Sequence, residues 1–202
     1  MDAFTSLDAV AVPIDIVNCD TDQIIPGRFL RHLPEDGGYD RYLFHDLRFD
    51  TDGSPRPEFI LNQPAYRNSR IIVADLNWGC GSSRENAVYV LVANDIRCVI
   101  APSFGDIHFS NCMKHGVLPV RLARETCDDL RGQLHTRPGA TLAVDLPSQT
   151  VTDTEGNQYG FEIAPFDKHR MLNGLDDIGL TLEYDAEFEA FERRHAEVYD
   201  WL

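Results

Sequence analysis

The sequence predicts an α/β fold: a mixed sheet with crossover helices plus a β-rich layer. Two changes of rhythm carry that reading. Between Ser69 and His135, short apolar runs at Arg70–Asp75, Arg97–Ala101 and Val117–Val120 alternate with stretches able to form helices, the pattern of a parallel sheet. From Ala140 onward the runs become short strands at Ala140–Asp145, Thr150–Asp153 and Gln158–Ile163, the last two joined through Asp153-Thr154-Glu155-Gly156-Asn157 as a hairpin. A third observation is negative: no internal repeat, low-complexity segment or boundary interrupts residues 1–202, which are therefore read as one domain.

Taken in order, Leu7–Val17 is rich in Val, Ile and Ala and reads as a strand, with Pro13 marking an edge or a bulge. Asp20 or Thr21 can cap a short turn within Asn18–Pro26, and Gly27–His32 is a short amphipathic piece carrying Arg28 and Arg31. The segment 33–64 is irregular. Polar turns at Glu35–Gly38 and Asp50–Pro57 flank the aromatic run Tyr39–His45, which suits a mobile lid or a partner-contacting loop. Helices are expected at Glu85–Asn94, from Ser103 or Asp106 to His115 with Gly116 as the stop, at Arg124–His135, and at Pro165–Asn173 ending on Gly174. A charged amphipathic helix, about 186–200, closes the chain.

The stretch Asn77-Trp78-Gly79-Cys80-Gly81-Ser82-Ser83-Arg84-Glu85 joins a strand to a helix. Two glycines permit unusual backbone angles and close approach of a ligand. Ser82 with Glu85 three residues on fits a capping box, placing the helix start at Ser82 or Ser83. A helix N-terminus with Arg84 beside it suits a carboxylate or phosphate, although a plain capped helix has the same signature. Arg84 stands where a dinucleotide fingerprint needs its third glycine, and no Gly-Lys-Ser/Thr follows.

Hydrophobic content of 43% and charged content of 25% are ordinary for a soluble globular protein. A net charge of −15 disfavours a nucleic-acid binder. No secretory signal and no apolar run of membrane-spanning length is seen, so a cytoplasmic protein is expected. Cys19, Cys80, Cys98, Cys112 and Cys127 are scattered and read as reduced thiols, unable to hold a zinc ion or iron–sulfur cluster unaided. His108 and His115 share a helical face but lack a third ligand, so no metal is assigned. Cys80, beside the expected helix start, is a candidate for a lowered thiol pKa.

Four ordered motifs give the chain a relationship. They are Asp20–Pro26, Gly79–Glu85, Ala101-Pro102-Ser103-Phe104-Gly105-Asp106-Ile107 and Leu172–Leu182. With them the chain resembles the small-subunit family of 3-isopropylmalate dehydratase, within the aconitase superfamily, over about residues 7–184. The resemblance implies a swivelling β/β/α domain and a separate large subunit that carries a 4Fe-4S cluster. It implies a hydro-lyase reaction that isomerises 2-isopropylmalate to 3-isopropylmalate by dehydration and rehydration, in leucine biosynthesis. The isolated chain should then be inactive and contain no iron.

By motif match, Ser82 would be the proton-abstracting alkoxide, and Ser83 and Arg84 would grip a substrate carboxylate. Gly81, Thr21 and Asp22 complete the implied substrate-binding set. Tyr42, Leu43 and Phe44 fall in the loop that selects the substrate side group. One departure is Asn86, where the family commonly has His; Asn86 either faces solvent or marks a paralogue for a related acid of citramalate or dimethylmalate type. A non-catalytic partner that regulates a large subunit is the competing class of function.

Overall fold

Strand β1, Ser6–Ile14, serves two sheets at once. Its first half pairs antiparallel with β5, Thr141–Asp145, from Ser6↔Asp145 to Val10↔Thr141. Its second half pairs parallel with β2, Ile71–Ala74, from Ala11↔Ile71 to Ile14↔Ala74. The parallel side continues through β3, Cys98–Ala101, to β4, Leu118–Arg121. The antiparallel side continues through β6, Thr150–Thr152, to β7, Gln158–Gly160. The resulting order is β4-β3-β2-β1-β5-β6-β7 in a computed structural model that describes residues 1–199.

Pro13 therefore sits in a central strand rather than on an edge of the sheet. It is tolerated because β5 has already ended beside it. Ala11 sends its N–H to Ala140 O on the β5 side at 3.1 Å. Pro13, two residues on, faces that same side beyond the last paired position, where no ladder bond is lost.

Every residue of β2 and β3 is buried, because crossover helices cover both faces. Alternation along the strands divides the core. Val12, Ile14, Ile72, Ala74 and Val99 point toward α3, Asn86–Ala93. Ala11, Ile71, Val73, Cys98 and Ile100 point toward α5, Arg124–Thr136. Between them α4, Asp106–Lys114, gives Cys112 to one layer and Met113 to the other. Arg131 of α5 fixes that helix to the sheet, donating to Ala74 O at 2.9 Å and pairing with Asp75 at 3.1 Å.

The expected capped turn is α1, Thr21–Ile24, with Asp20 and Gln23 forming a complete capping box. The irregular segment 33–64 contains one short helix, α2 (His45–Arg48), and tight turns. Its aromatic side chains face inward: Tyr39, Tyr42, Leu43 and Phe44 are buried on the α3 side of the sheet. Helix α6, Pro165–Asn173, ends at the left-handed Gly174 as expected. A short helix the periodicity did not predict, α7 (Asp177–Leu182), follows, capped by Asp176, which accepts from Gly179 N at 2.7 Å. The closing helix is α8, Asp185–Val198; residue 200, its expected end, lies outside the described residues.

Candidate active site

Three loops leave the C-terminal ends of the parallel strands β1, β2 and β3, the edge at which open α/β sheets bind ligands. Backbone bonds join them. Gly79 N donates to Cys19 O at 2.7 Å, Thr21 N to Cys80 O at 3.0 Å, and Trp78 N to Ser103 O at 3.0 Å. Single bridges Asp20↔Cys80 and Trp78↔Phe104 prolong the sheet past its strands. Gly79 has φ +68, and a Cβ there would stand 2.2 Å from His108 Cδ2. Gly105 meets a similar limit, with Gly79 O 2.6 Å from its would-be Cβ. Gly79 thus needs glycine for space as well as for angle, and Gly105 for space.

The expected helix start at Ser82 or Ser83 is not what forms. Helix α3 begins at Asn86, and Glu85 makes no capping bond. Gly81 at φ +89 turns the chain, Arg84 N returns to Ser82 O at 2.8 Å, and the Thr21 hydroxyl donates to that carbonyl at 3.2 Å. Glu85 instead accepts from Tyr89 Oη at 2.8 Å, a full turn along the helix. Ser82 and Ser83 thus stand on an exposed turn ahead of the helix, and neither hydroxyl has a hydrogen bond among the described residues. Asn86 does not face solvent: it is half-buried and donates to Tyr39 Oη at 2.9 Å.

Arg84 is paired with Asp22 through Nη1 and Oδ1. Gly27 N also donates to Asp22 Oδ1 at 3.2 Å, and Gly27 lies against the pair. The Arg84 hydrogen bond holds the Asp22 carboxyl below its ordinary value against the opposing effect of burial, with the Arg84 charge and the Gly27 N–H adding to the lowering. The Ser82 turn and α1 are therefore one unit, in which Gly81, Ser82, Ser83, Arg84, Asp22 and Thr21 come together. The segment Tyr42-Leu43-Phe44 adjoins it. Phe44 N donates to Ile24 O at 2.9 Å, Tyr42 stacks on Phe29 at 4.2 Å, and Phe44 packs edge-on to Trp78 at 6.0 Å. Leu43 and Phe44 are core residues behind the site rather than open contacts.

Cys80 corrects a further expectation. Burial, and then the Asp20 carboxylate, push its thiol up rather than down. The other four cysteines are buried, with their thiols pushed up by burial. Among the described residues no group of three His, Cys, Asp or Glu converges on a metal position, so these residues do not fit an iron–sulfur cluster. His108 likewise lies in the core: its Nε2 accepts from Trp78 Nε1 at 3.2 Å, its Nδ1 is buried without a partner among the described residues, and burial lowers its pKa to about 4. Sequence reasoning missed this His108–Trp78 pair, Gly27 and the Asn86–Tyr39 bond. The two bonds join residues tens of positions apart, and the place of Gly27 against the ion pair is visible only in space.

The site is open. A cleft of about 630 Å³ is lined by Glu85, Tyr89, Val92, His115 and Ile178 among others, and Ser82 is not among its lining residues. The exposed hydroxyls of Ser82 and Ser83 stand beside the half-buried Arg84, an arrangement able to receive a carboxylate at the hydroxyls and guanidinium.

Comparisons with known proteins give the family. Residues 1–125 match the model of the aconitase C-terminal domain, and 128–165 match the LeuD_N model. Residues 177–202 match the model of the C-terminal domain of the 3-isopropylmalate dehydratase small subunit. The 3-isopropylmalate dehydratase small subunit of Jannaschia sp. is 48% identical over 202 residues, spanning all of both chains. That of Brevibacillus brevis is 46% identical over 96% of this chain and 100% of its own. A solved 3-isopropylmalate dehydratase structure from Methanocaldococcus jannaschii shares the fold with a TM-score of 0.65 at 23% identity, over 93% of this chain and 99% of that one. The chain belongs to the small-subunit family of 3-isopropylmalate dehydratase.

Proposed function

We propose that this chain supplies the serine base and the carboxylate grip of a heteromeric hydro-lyase that isomerises 2-isopropylmalate to 3-isopropylmalate in leucine biosynthesis. The observation that carries the reading is the pair of free, exposed hydroxyls at Ser82 and Ser83 beside the anchored Arg84. Family membership makes the chain the small partner of a two-part enzyme, and the exposed Ser82 turn is the face that partner would cover.

The roles follow from position. Arg84, kept in one orientation by Asp22, binds a substrate carboxylate, with Ser83 Oγ donating to the same group. Thr21 holds the Ser82 carbonyl and so fixes the turn. Ser82 Oγ, as alkoxide, takes the proton from the carbon beside a carboxylate while hydroxide leaves the adjacent carbon. The resulting alkene receives water in the opposite sense, and the proton on Ser82 Oγ returns to the carbon that lost its hydroxyl. The positive charge of Arg84 favours the alkoxide. Helix α3 begins four residues later, so the dipole of its first turn lies farther from Ser82 than a capping box would have placed it.

The group that assists hydroxide departure is not on this chain; a 4Fe-4S cluster on the large subunit is the candidate the family relationship supplies. The test uses the assembled complex. Ser82→Ala is expected to lower turnover of 2-isopropylmalate by about a thousandfold or more with little change in KM. Unchanged turnover would overturn the assignment. Citramalate and dimethylmalate serve as competing substrates, and a kcat/KM higher for either would assign the chain to a paralogous enzyme.

A further inference from the structure

The apolar side chains of the parallel strands are covered on both faces, but those of the last two helices are not. Helices α7 and α8, with the two residues that join them, expose Ile178, Leu182, Tyr184, Phe188, Phe191 and Val198, with Ile178 at 71% and Phe191 at 56%. Tyr184, Phe188, Phe191 and Val198 recur at steps of four, three and seven residues, which places them on one stripe of the helix. No residue of α8 is buried. A helix of 14 residues alone in water is marginal, and its stripe calls for a cover.

We propose that this stripe docks on the large subunit and is the anchor that holds the two subunits together. The proposal rests on the functional reading in one respect, that the Ser82 turn faces the large subunit.

Continuity is the first argument for that occupant. Asp176, Asp177 and Ile178 form one wall of the 630 Å³ cleft, and Glu85, Tyr89 and Val92 form the other. Glu85 directly follows Ser82-Ser83-Arg84 in the chain, so the cleft runs from the residue next to the Ser82 turn to the root of the stripe. That root is fixed: Asp177 pairs with Arg170 and, at 3.2 Å, with Lys114 of α4. A partner closing the site reaches the stripe across one surface.

The second argument is what the segment adds. Residues 1–125 match a domain named as the C-terminal part of aconitase, whereas 177–202 match a segment named for the small subunit. A domain joined covalently to the rest of its enzyme meets its partner surface at high effective concentration. A domain on its own chain must replace that tether with contact area, and of the chain beyond the shared domain α7 and α8 are the part that leaves most of its apolar side chains exposed.

Charge separates the large subunit from a second copy. Asp185, Glu187 and Glu192 flank the stripe, with Arg194 among them, on a chain of net charge −15. Two copies would bring like charges together, whereas an apolar groove with a basic rim would complement them.

The experiment titrates the full-length chain into its large subunit by calorimetry, alongside turnover. Phe188→Asp and Phe191→Asp, both at exposed positions, are expected to weaken binding by about tenfold or more each. Turnover should recover when the large subunit is in excess. Glu189→Gln, off the stripe, should bind as the unaltered chain does, and Ser82→Ala should bind normally but not turn over. Ile178→Asp reads the same contact from a different helix if α8 unravels in its own variants. Unchanged affinity in the α7 and α8 variants would overturn the proposal and leave the Ser82 assignment standing. So would sedimentation showing a dimer of this chain that the Phe188 and Phe191 variants abolish while affinity for the large subunit is kept.

Discussion

Asn86, the first residue of α3, donates through Nδ2 to the hydroxyl of Tyr39 at 2.9 Å. Tyr39 is buried, and burial raises its phenol pKa while the Asn86 bond acts against that rise. Its ring meets Tyr42 edge-on at 5.5 Å, and Tyr42 stacks on Phe29. Asn94, at the other end of α3, donates to Asp40 O at 2.9 Å. The helix that follows the Ser82 turn therefore grips the turn at 39–40 at two points, just ahead of Tyr42, Leu43 and Phe44.

That grip can be measured as a coupling. Asn86→Ala leaves the Tyr39 hydroxyl buried without its donor and should cost about 1–3 kcal/mol, a Tm fall of a few degrees for a chain of this size. Tyr39→Phe removes the group that would be orphaned, so the double variant should lose less than the sum of the single losses. Additive losses in denaturant unfolding would show that the bond carries no energy.

Arg84 depends on Asp22 for its direction. Asp22→Asn is expected to lower kcat/KM of the complex by about tenfold to a hundredfold through loss of orientation. Arg84→Lys keeps the charge but loses the planar fork, and should chiefly raise KM, by a similar factor. Wild-type kinetics in both variants would detach the ion pair from substrate binding.

The two glycines of the turn should respond differently to alanine. At Gly79 a Cβ collides with the His108 ring at 2.2 Å, so Gly79→Ala should cost about 3 kcal/mol or more, or prevent folding. At Gly81 the nearest atom is Asp20 Cβ at 3.5 Å, leaving only the strain of φ +89, about 1–2 kcal/mol. Chemical denaturation ranks them, and the reverse order would contradict the packing described.

His108 gives stability a definite pH window. Its folded pKa is about 4 against an ordinary 6.5, because burial penalises the charged ring. Below pH 6.5 the unfolded chain takes up the proton and the folded chain does not, so stability falls progressively from pH 6.5 toward 4. The loss amounts to on the order of 3 kcal/mol. Above 6.5 this contribution is constant. Unfolding free energies measured from about pH 8 to about pH 4.5 should show the slope, and His108→Gln should flatten that part of it.

Much of this was legible in local pattern. The strand–helix alternation around Arg70–Val120, the capping residue Asp20, and the stops at Gly116 and Gly174 are short-range signals, and all appear. Ser82 with Glu85 carried an equally good capping signal and failed. There the turn is set by contacts from elsewhere: Thr21 takes the Ser82 carbonyl, and Tyr89 takes the Glu85 carboxylate. Pro13 misled for a related reason, since an edge position was inferred where a neighbouring strand simply stops. Within the site, motif resemblance named Ser82, Ser83, Arg84 and Asp22, and the fold brings them together. It gave no hint that Gly27 lies on the Asp22–Arg84 pair, or that Asn86 reaches a tyrosine 47 residues away.

The division of β1 has a consequence for the order in which the protein is made. Residues 11–14 find β2 within 71–74, but residues 6–10 must wait for 141–145. A growing chain that has reached residue 136 already contains all four parallel strands, the helices on both their faces and the whole Ser82 turn. The edge that carries the Ser82 turn can thus be complete on the ribosome while half of the first strand is still without a neighbour, and that half lies at the end of the strand remote from the turn.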